Sequence, residues 1–196
     1  MKRRYVAISS AAVLVAGMTV VGSVSASAGQ DSTAAAAASS SVRGWAGPQA
    51  SSVAAAERAA QGRITGPSAA AMAGETLVVV EAPFSPRREA FVDVGASGDS
   101  PGDFFIAEGR ILDRSGSRMI GSDALRCEAG VRTFTCEATL VVTGKGKIRV
   151  AGTLFSNRDN VLPVTGGTDA YAGVGGQVTF FNLGHGRTAL IFDLTR

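Results

Sequence analysis

The sequence predicts an all-β domain of eight antiparallel strands, and three observations carry the prediction. Apolar and polar residues alternate with period two through most of the chain from Glu75 onward, the strand-like runs are joined by short turns of Gly, Ser, Asp and Pro, and no segment there has an apolar repeat at helical spacing. Short connections make sequential strands antiparallel neighbours. Eight such strands, each with one apolar face, either stack as a two-layer sandwich or close into a barrel, and the pattern alone leaves both open.

Two segments of different character precede the domain. Residues 1–28 begin with the bases Lys2, Arg3 and Arg4, continue through an apolar run from Tyr5 to Val24, and end on Ala26-Ser27-Ala28, the small-x-small form of a signal-peptidase site. A membrane anchor is the competing reading, because the run approaches bilayer length, but Gly17, Gly22 and several serines dilute it and a cleavage site follows. No cysteine stands near that site to support a lipoprotein anchor. The expectation is a signal peptide and a secreted, extracellular protein. Cleavage after Ala28 changes the charge: the whole chain holds 19 Lys and Arg against 16 Asp and Glu, but the signal carries three bases and no acid, so the mature chain is formally neutral. A nucleic-acid partner thereby loses its electrostatic basis. Residues 29–74 are mostly Ala, Ser, Gly and Gln. They cannot bury enough apolar surface to offset the entropy of ordering them, and they read as a flexible spacer. Within it, residues 51–63 (SSVAAAERAAQGR) have the alanine content for a transient helix.

Residues 75–196 suffice for one domain with a modest core. The first strand puts Leu77, Val79 and Glu81 on one face, and runs at 89–94, 103–112 and 117–127 follow, with turn signals at 97–102 (SGDSPG) and 113–116 (DRSG). Next, Phe134, Cys136, Ala138, Leu140 and Val142 alternate with Thr135, Glu137, Thr139 and Val141. Across Gly144-Lys145-Gly146 the following strand repeats the pattern with Ile148, Val150, Gly152 and Leu154. Runs at 175–183 and 187–194, on either side of Gly184-His185-Gly186, complete the eight. Cys127 and Cys136 are the chain's two cysteines, and an even count in an exported chain favours a disulfide.

Between the last two pairs of strands lies VTGGTDAYAGVGGQV, residues 164–178. Its glycines permit a sharp corner between strands. A phosphate-binding loop is excluded, because neither a helix nor a lysine follows. From Thr133 to Val178 the chain resembles the second half of the allene oxide cyclase and dirigent proteins. The resemblance is carried by Ile148-Arg149-Val150-Ala151-Gly152, by the corner Thr165-Gly166-Gly167-Thr168-Asp169-Ala170-Tyr171, and by Gly173, Gly175 and Gly176. Upstream, Gly102-Asp103, Ile111-Leu112-Asp113 and Met119-Ile120-Gly121 fall where that superfamily has a strand start and its partner strand. The resemblance spans nearly all of residues 75–196. It implies an eight-stranded antiparallel β-barrel with a largely apolar cavity, often a homotrimer, and glycines shaping a corner across one barrel mouth. Asp169 replaces a glycine there, and Asp tolerates left-handed backbone better than most residues.

Strand by strand, the resemblance places Glu81 on the catalytic acid of the allene oxide cyclases. The pleat agrees, since Glu81 shares a face with Leu77 and Val79. A carboxyl facing an apolar lumen has its pKa raised by desolvation and becomes a usable general acid; a rim or subunit-contact glutamate is the competing role. Cys127 falls on a cavity cysteine of those enzymes. A short hairpin separates it from Cys136, however, and a cross-strand disulfide would consume the thiol. Asp123, four residues from Cys127 on one strand, is expected to share the lumen with Glu81, so that the two repel and one stays protonated. Phe105, Phe134, Leu154 and Phe180 are candidate lumen walls, and Tyr171 is a candidate hydroxyl at the mouth, with packing as its simpler role. His185, the single histidine, sits at a hairpin tip with no partners for a triad or metal cluster. The superfamily's water-binding asparagines fall on Pro83 and Gly109, and its cavity tyrosine on Leu154, so cyclisation of an allene oxide is not predicted.

The function expected from these residues is a secreted barrel that binds a small hydrophobic molecule, polyketide-, lipid- or phenylpropanoid-like, and steers its stereoselective cyclisation without a cofactor or metal. Holding a flexible molecule folded lowers the entropy barrier to ring closure. The alternatives are a non-catalytic carrier of a small apolar ligand and a trimer-forming structural unit, the last with a filled lumen.

Overall fold

The strands do close on themselves. In the computed structural model, which describes residues 48–62, 74–95, 100–155 and 160–196, eight strands form a closed antiparallel barrel in chain order: β1 (Glu75–Val92), β2 (Phe104–Leu112), β3 (Met119–Ala129), β4 (Phe134–Val142), β5 (Gly146–Leu154), β6 (Val161–Gly167), β7 (Gly175–Gly184) and β8 (Arg187–Thr195). β8 returns to pair with β1, from Glu75 opposite Leu194 to Glu81 opposite Thr188. Closure gives every strand a hydrogen-bonded neighbour on both sides, although β1 runs on past its ladder with β8. The sandwich is excluded. The signal-peptide reading of residues 1–28 lies outside the described residues.

Two strand assignments differ from the sequence reading. The runs expected as separate strands at 75–81 and 89–94 are one long strand, β1, interrupted by a wide irregularity in its pairing with β2: Pro83 faces Gly109, and the next partners are Arg88 and Glu108. The residues between, Ser85 and Pro86 among them, bulge away from the ladder without ending the strand. The eighth strand is β6, which overlaps the start of the region read as a corner. Its ladders are short, with three partner pairs to β5 and three to β7, and Pro163 and two terminal glycines hid its alternation. The corner proper is a 3-10 turn, Asp169–Tyr171. Asp169 has φ 55° there, left-handed as its side chain permits. Gly167 is required by close approach: a Cβ would run into the Tyr171 carbonyl oxygen at 2.5 Å and the Lys147 carbonyl oxygen at 2.6 Å.

The stretch read as a spacer also holds an ordered element, α1 (Val53–Gln61), in place of the transient helix expected there. Ser52 caps it, accepting a hydrogen bond from the Ala55 N–H at 3.2 Å. A helix of this length is marginal alone in water, and packing makes up the difference. Ala56 and Ala60 are buried with Phe181, Ala189 and Ile191 on the outside of β7 and β8, while Val53 packs with Val80, Ala82 and Leu112. Arg114 pairs with Glu57 at 2.8 Å, and the Ala50 N–H donates to the Asn182 carbonyl.

Inside, the barrel is asymmetric. At the end holding the β2–β3, β4–β5 and β6–β7 connections, Val79, Ile111, Val142, Ile148, Val164 and Tyr171 are buried in one apolar cluster. That end is packed solid. The opposite end is hollow.

Candidate functional site

The hollow is a cavity of about 250 Å³ bounded by inward residues of all eight strands. Its lining is apolar and aromatic, with Phe91 and Phe192 standing beside Phe105, Phe134, Leu154 and Phe180, the four residues expected as lumen walls. The side chains able to form strong hydrogen bonds there are Glu81, Asp103, Asp123 and Thr188, and no Lys, Arg or His is among the described lining residues.

Glu81 and Asp123 come together at the floor. Pairing puts Glu81 of β1 opposite Ile111 of β2, and Asp123 of β3 opposite Gly109 of β2. Because inward positions alternate, both carboxyls rise over Gly109. A Cβ there would collide with Asp123 Oδ1 and lie 3.3 Å from Glu81 Oε1, so only glycine leaves room for the pair. Asp123 is 7% exposed, and its Oδ1 is buried without a hydrogen-bond partner. Burial pushes the Glu81 carboxyl up to about 8, with the neighbouring Asp123 charge adding to the rise. Burial likewise raises Asp123 to about 6, against the backbone N–H groups of Gly109 and of Asp123 itself, which favour its ionised form. The pair therefore retains a proton near neutrality, which belongs to both carboxyls together.

Asp103, at the rim, has a different task. Its Oδ1 accepts from the Val94 N–H at 2.7 Å and from the Ser100 hydroxyl at 3.3 Å, tying the start of β2 to the chain around it. Alternation along β8 was enough to find Thr188 and Phe192, which share a face with Leu190. Asp103 carried no sequence signal beyond its place at a strand start.

Cys127 and Cys136, directly opposite on β3 and β4, form a disulfide on the cavity wall. Neither offers a free thiol. Tyr171 is not at the open mouth: it is buried in the packed end, with its hydroxyl unpartnered and raised by burial and by the Glu75 carboxylate. The reason is topological, since the β6–β7 corner closes the end opposite the cavity. His185 is exposed at the β7–β8 turn. Among the described residues no group of three or more His, Cys, Asp or Glu could hold a metal ion, and no helix is long and apolar enough to cross a membrane.

No family model matches the sequence, nor does any curated protein. Among solved structures, a pyocyanin demethylase is similar, with TM-score 0.52 and 20% identity over 62% of this chain and 100% of that chain. The Diels Alderase AbmU from Streptomyces koyangensis aligns with TM-score 0.47 and 14% identity, over 66% of this chain and 72% of that one. A nonspecific heme-binding cyclase, described as catalysing a 4 + 2 cycloaddition in neoabyssomicin biosynthesis, aligns with TM-score 0.45 and 14% identity, over 61% and 64%. The first likeness shows a shared small-barrel fold.

Proposed function

We propose that the barrel binds a small, largely apolar molecule in its lumen and promotes a stereoselective ring closure of that molecule, with Glu81 as general acid and Asp123 as the group that keeps it protonated. The observation that supports this most is the carboxyl pair over Gly109, set into a wall that is otherwise greasy. An acid whose pKa lies near the working pH is both present in the right form and willing to give up its proton. The apolar walls exclude water and fold the bound chain, which supplies the orientation half of catalysis. The resemblance to the allene oxide cyclase and dirigent proteins fits this reading, and the Cys127–Cys136 disulfide fits an oxidising, extracellular setting.

A carrier is the second reading, favoured by the hydrogen-bonding poverty of the walls: Gly109 and Leu154 stand where the cyclases have polar groups. Incubation with a linear polyene epoxide that cyclises slowly in water distinguishes the two. The cyclase reading expects one ring enantiomer in excess and a loss of rate of roughly 10²–10⁴-fold in Glu81→Gln with binding retained. Unchanged rate and stereochemistry, with the compound still co-purifying, would establish the carrier.

A further inference from the structure

We propose that the molecule this lumen accepts carries a basic nitrogen, an amine or N-heteroaromatic group, at its buried end, held as a cation against Glu81 and Asp123. The inference rests on the reading of the lumen as a ligand site and specifies what that ligand must contain. Two carboxyls share the space over Gly109, yet no described lining residue is a cation. Neighbouring strands present Ile111, Leu140 and Thr188 to the pair, none of them charged. Asp103, the remaining ionisable group of the lining, is engaged by Val94 and Ser100.

A buried carboxylate is normally matched by Arg, Lys or a full set of hydrogen-bond donors, because desolvating a bare charge is costly. Asp123 Oδ1 has no such match although its residue is more than nine-tenths buried. An anion would be repelled by the pair. A neutral alcohol would satisfy one lone pair and leave the charge unbalanced. An ammonium or a protonated ring nitrogen supplies a donor and a charge together, where Asp123 Oδ1 has no donor and the described lining holds no cation. The apolar remainder of such a molecule then lies along Phe105, Phe134 and Phe180 toward the mouth, where aromatic faces suit a flat or unsaturated body.

Three probes of one shape test the proposal by calorimetry on the intact protein: naphthylmethylamine, naphthylmethanol and naphthoate. The amine is expected to bind roughly tenfold or more tighter than the alcohol at pH 7, a preference equivalent to about 1.4 kcal/mol. Its advantage should shrink as pH is lowered to 5 and the pair becomes neutral, while alcohol binding stays flat; this profile is read on the unmodified protein. Asp123→Asn with Glu81→Gln should erase the amine's advantage and leave the alcohol's affinity in place. Equal binding of amine and alcohol at pH 7, or tightest binding of naphthoate, would overturn the cationic head while leaving the lumen as a ligand site. Failure of all three probes to bind would overturn the ligand-site reading itself, and this inference with it.

Discussion

Glu81 and Asp123 are the two carboxyls that share the buried space over Gly109, and their positions were readable because strand alternation fixes direction. Glu81 follows Leu77 and Val79 inward, and Asp123 stands four residues from Cys127 on one strand. Tyr171 was misplaced for the converse reason: a corner has no alternation, so its residues say that the chain turns but not at which end of the barrel. The pair makes stability depend on pH with a definite sign. Both carboxyls titrate higher folded than unfolded, so the folded chain binds more protons and stability falls as pH rises. Through neutrality the folded pair still holds a proton that the unfolded chain has lost, so stability declines with a slope on the order of 1 kcal/mol per pH unit. Urea unfolding at intervals from pH 6 to 9 should show this decline levelling off above the Glu81 value, and Glu81→Gln should remove it. Gly109→Ala tests the packing of the same pair. Its methyl group would meet Asp123 Oδ1, so a loss of about 1–3 kcal/mol is expected by the same assay. An unchanged midpoint would mean that the carboxyls do not share that space.

Among the elements, β7, β8 and β1 differ from the rest in being apolar on both faces. Val78-Val79-Val80 and Ala189-Leu190-Ile191-Phe192 are continuous apolar runs, the pattern of strands covered on two sides, and the outer half of each run meets α1. The sequence thus held a sign that something covers this part of the barrel. The cover itself was hard to identify, because its stripe is Val53, Ala56 and Ala60, too small to stand out from an alanine-rich segment. Ala56 is fully buried, and an arginine there would be trapped against Phe181 and Ile191. Ala56→Arg should therefore undock α1: hydrogen exchange is expected to rise at β7 and β8 and a dye for exposed apolar surface to bind, with β3–β5 unaffected. The β3–β4 hairpin has its own fastener. Cys127 and Cys136 are nine residues apart, and closing so short a loop stabilises by about 3 kcal/mol. Replacing both by serine should lower the unfolding free energy by about that amount, measured against the oxidised parent. A difference near zero would mean that the pairing of β3 with β4 already restrains the unfolded chain.

At the scale of the whole molecule, one barrel packs its two ends differently: apolar side chains fill the end around Tyr171, and the other end holds the cavity. The number of strands and their alternation announced a barrel or a sandwich, but closure depends on β8 meeting β1, a contact between the two ends of the domain that no local pattern encodes. The same holds for the cavity: each inward residue was legible singly, whereas the unfilled space among them is a property of all eight strands at once. Ala138 makes that space testable. It faces the lumen from β4 between Cys136 and Leu140, where a larger side chain would project across the hollow and not into a packed neighbour. If the hollow is the binding site, Ala138→Phe should abolish binding of the naphthyl probes while leaving the thermal midpoint unchanged or higher, because filling an unoccupied apolar void recovers dispersion contacts that its walls now lack. Retained binding with an unaltered midpoint would place the ligand on the outside of the barrel. A lower midpoint would mean that the lumen is already too tightly packed to hold one.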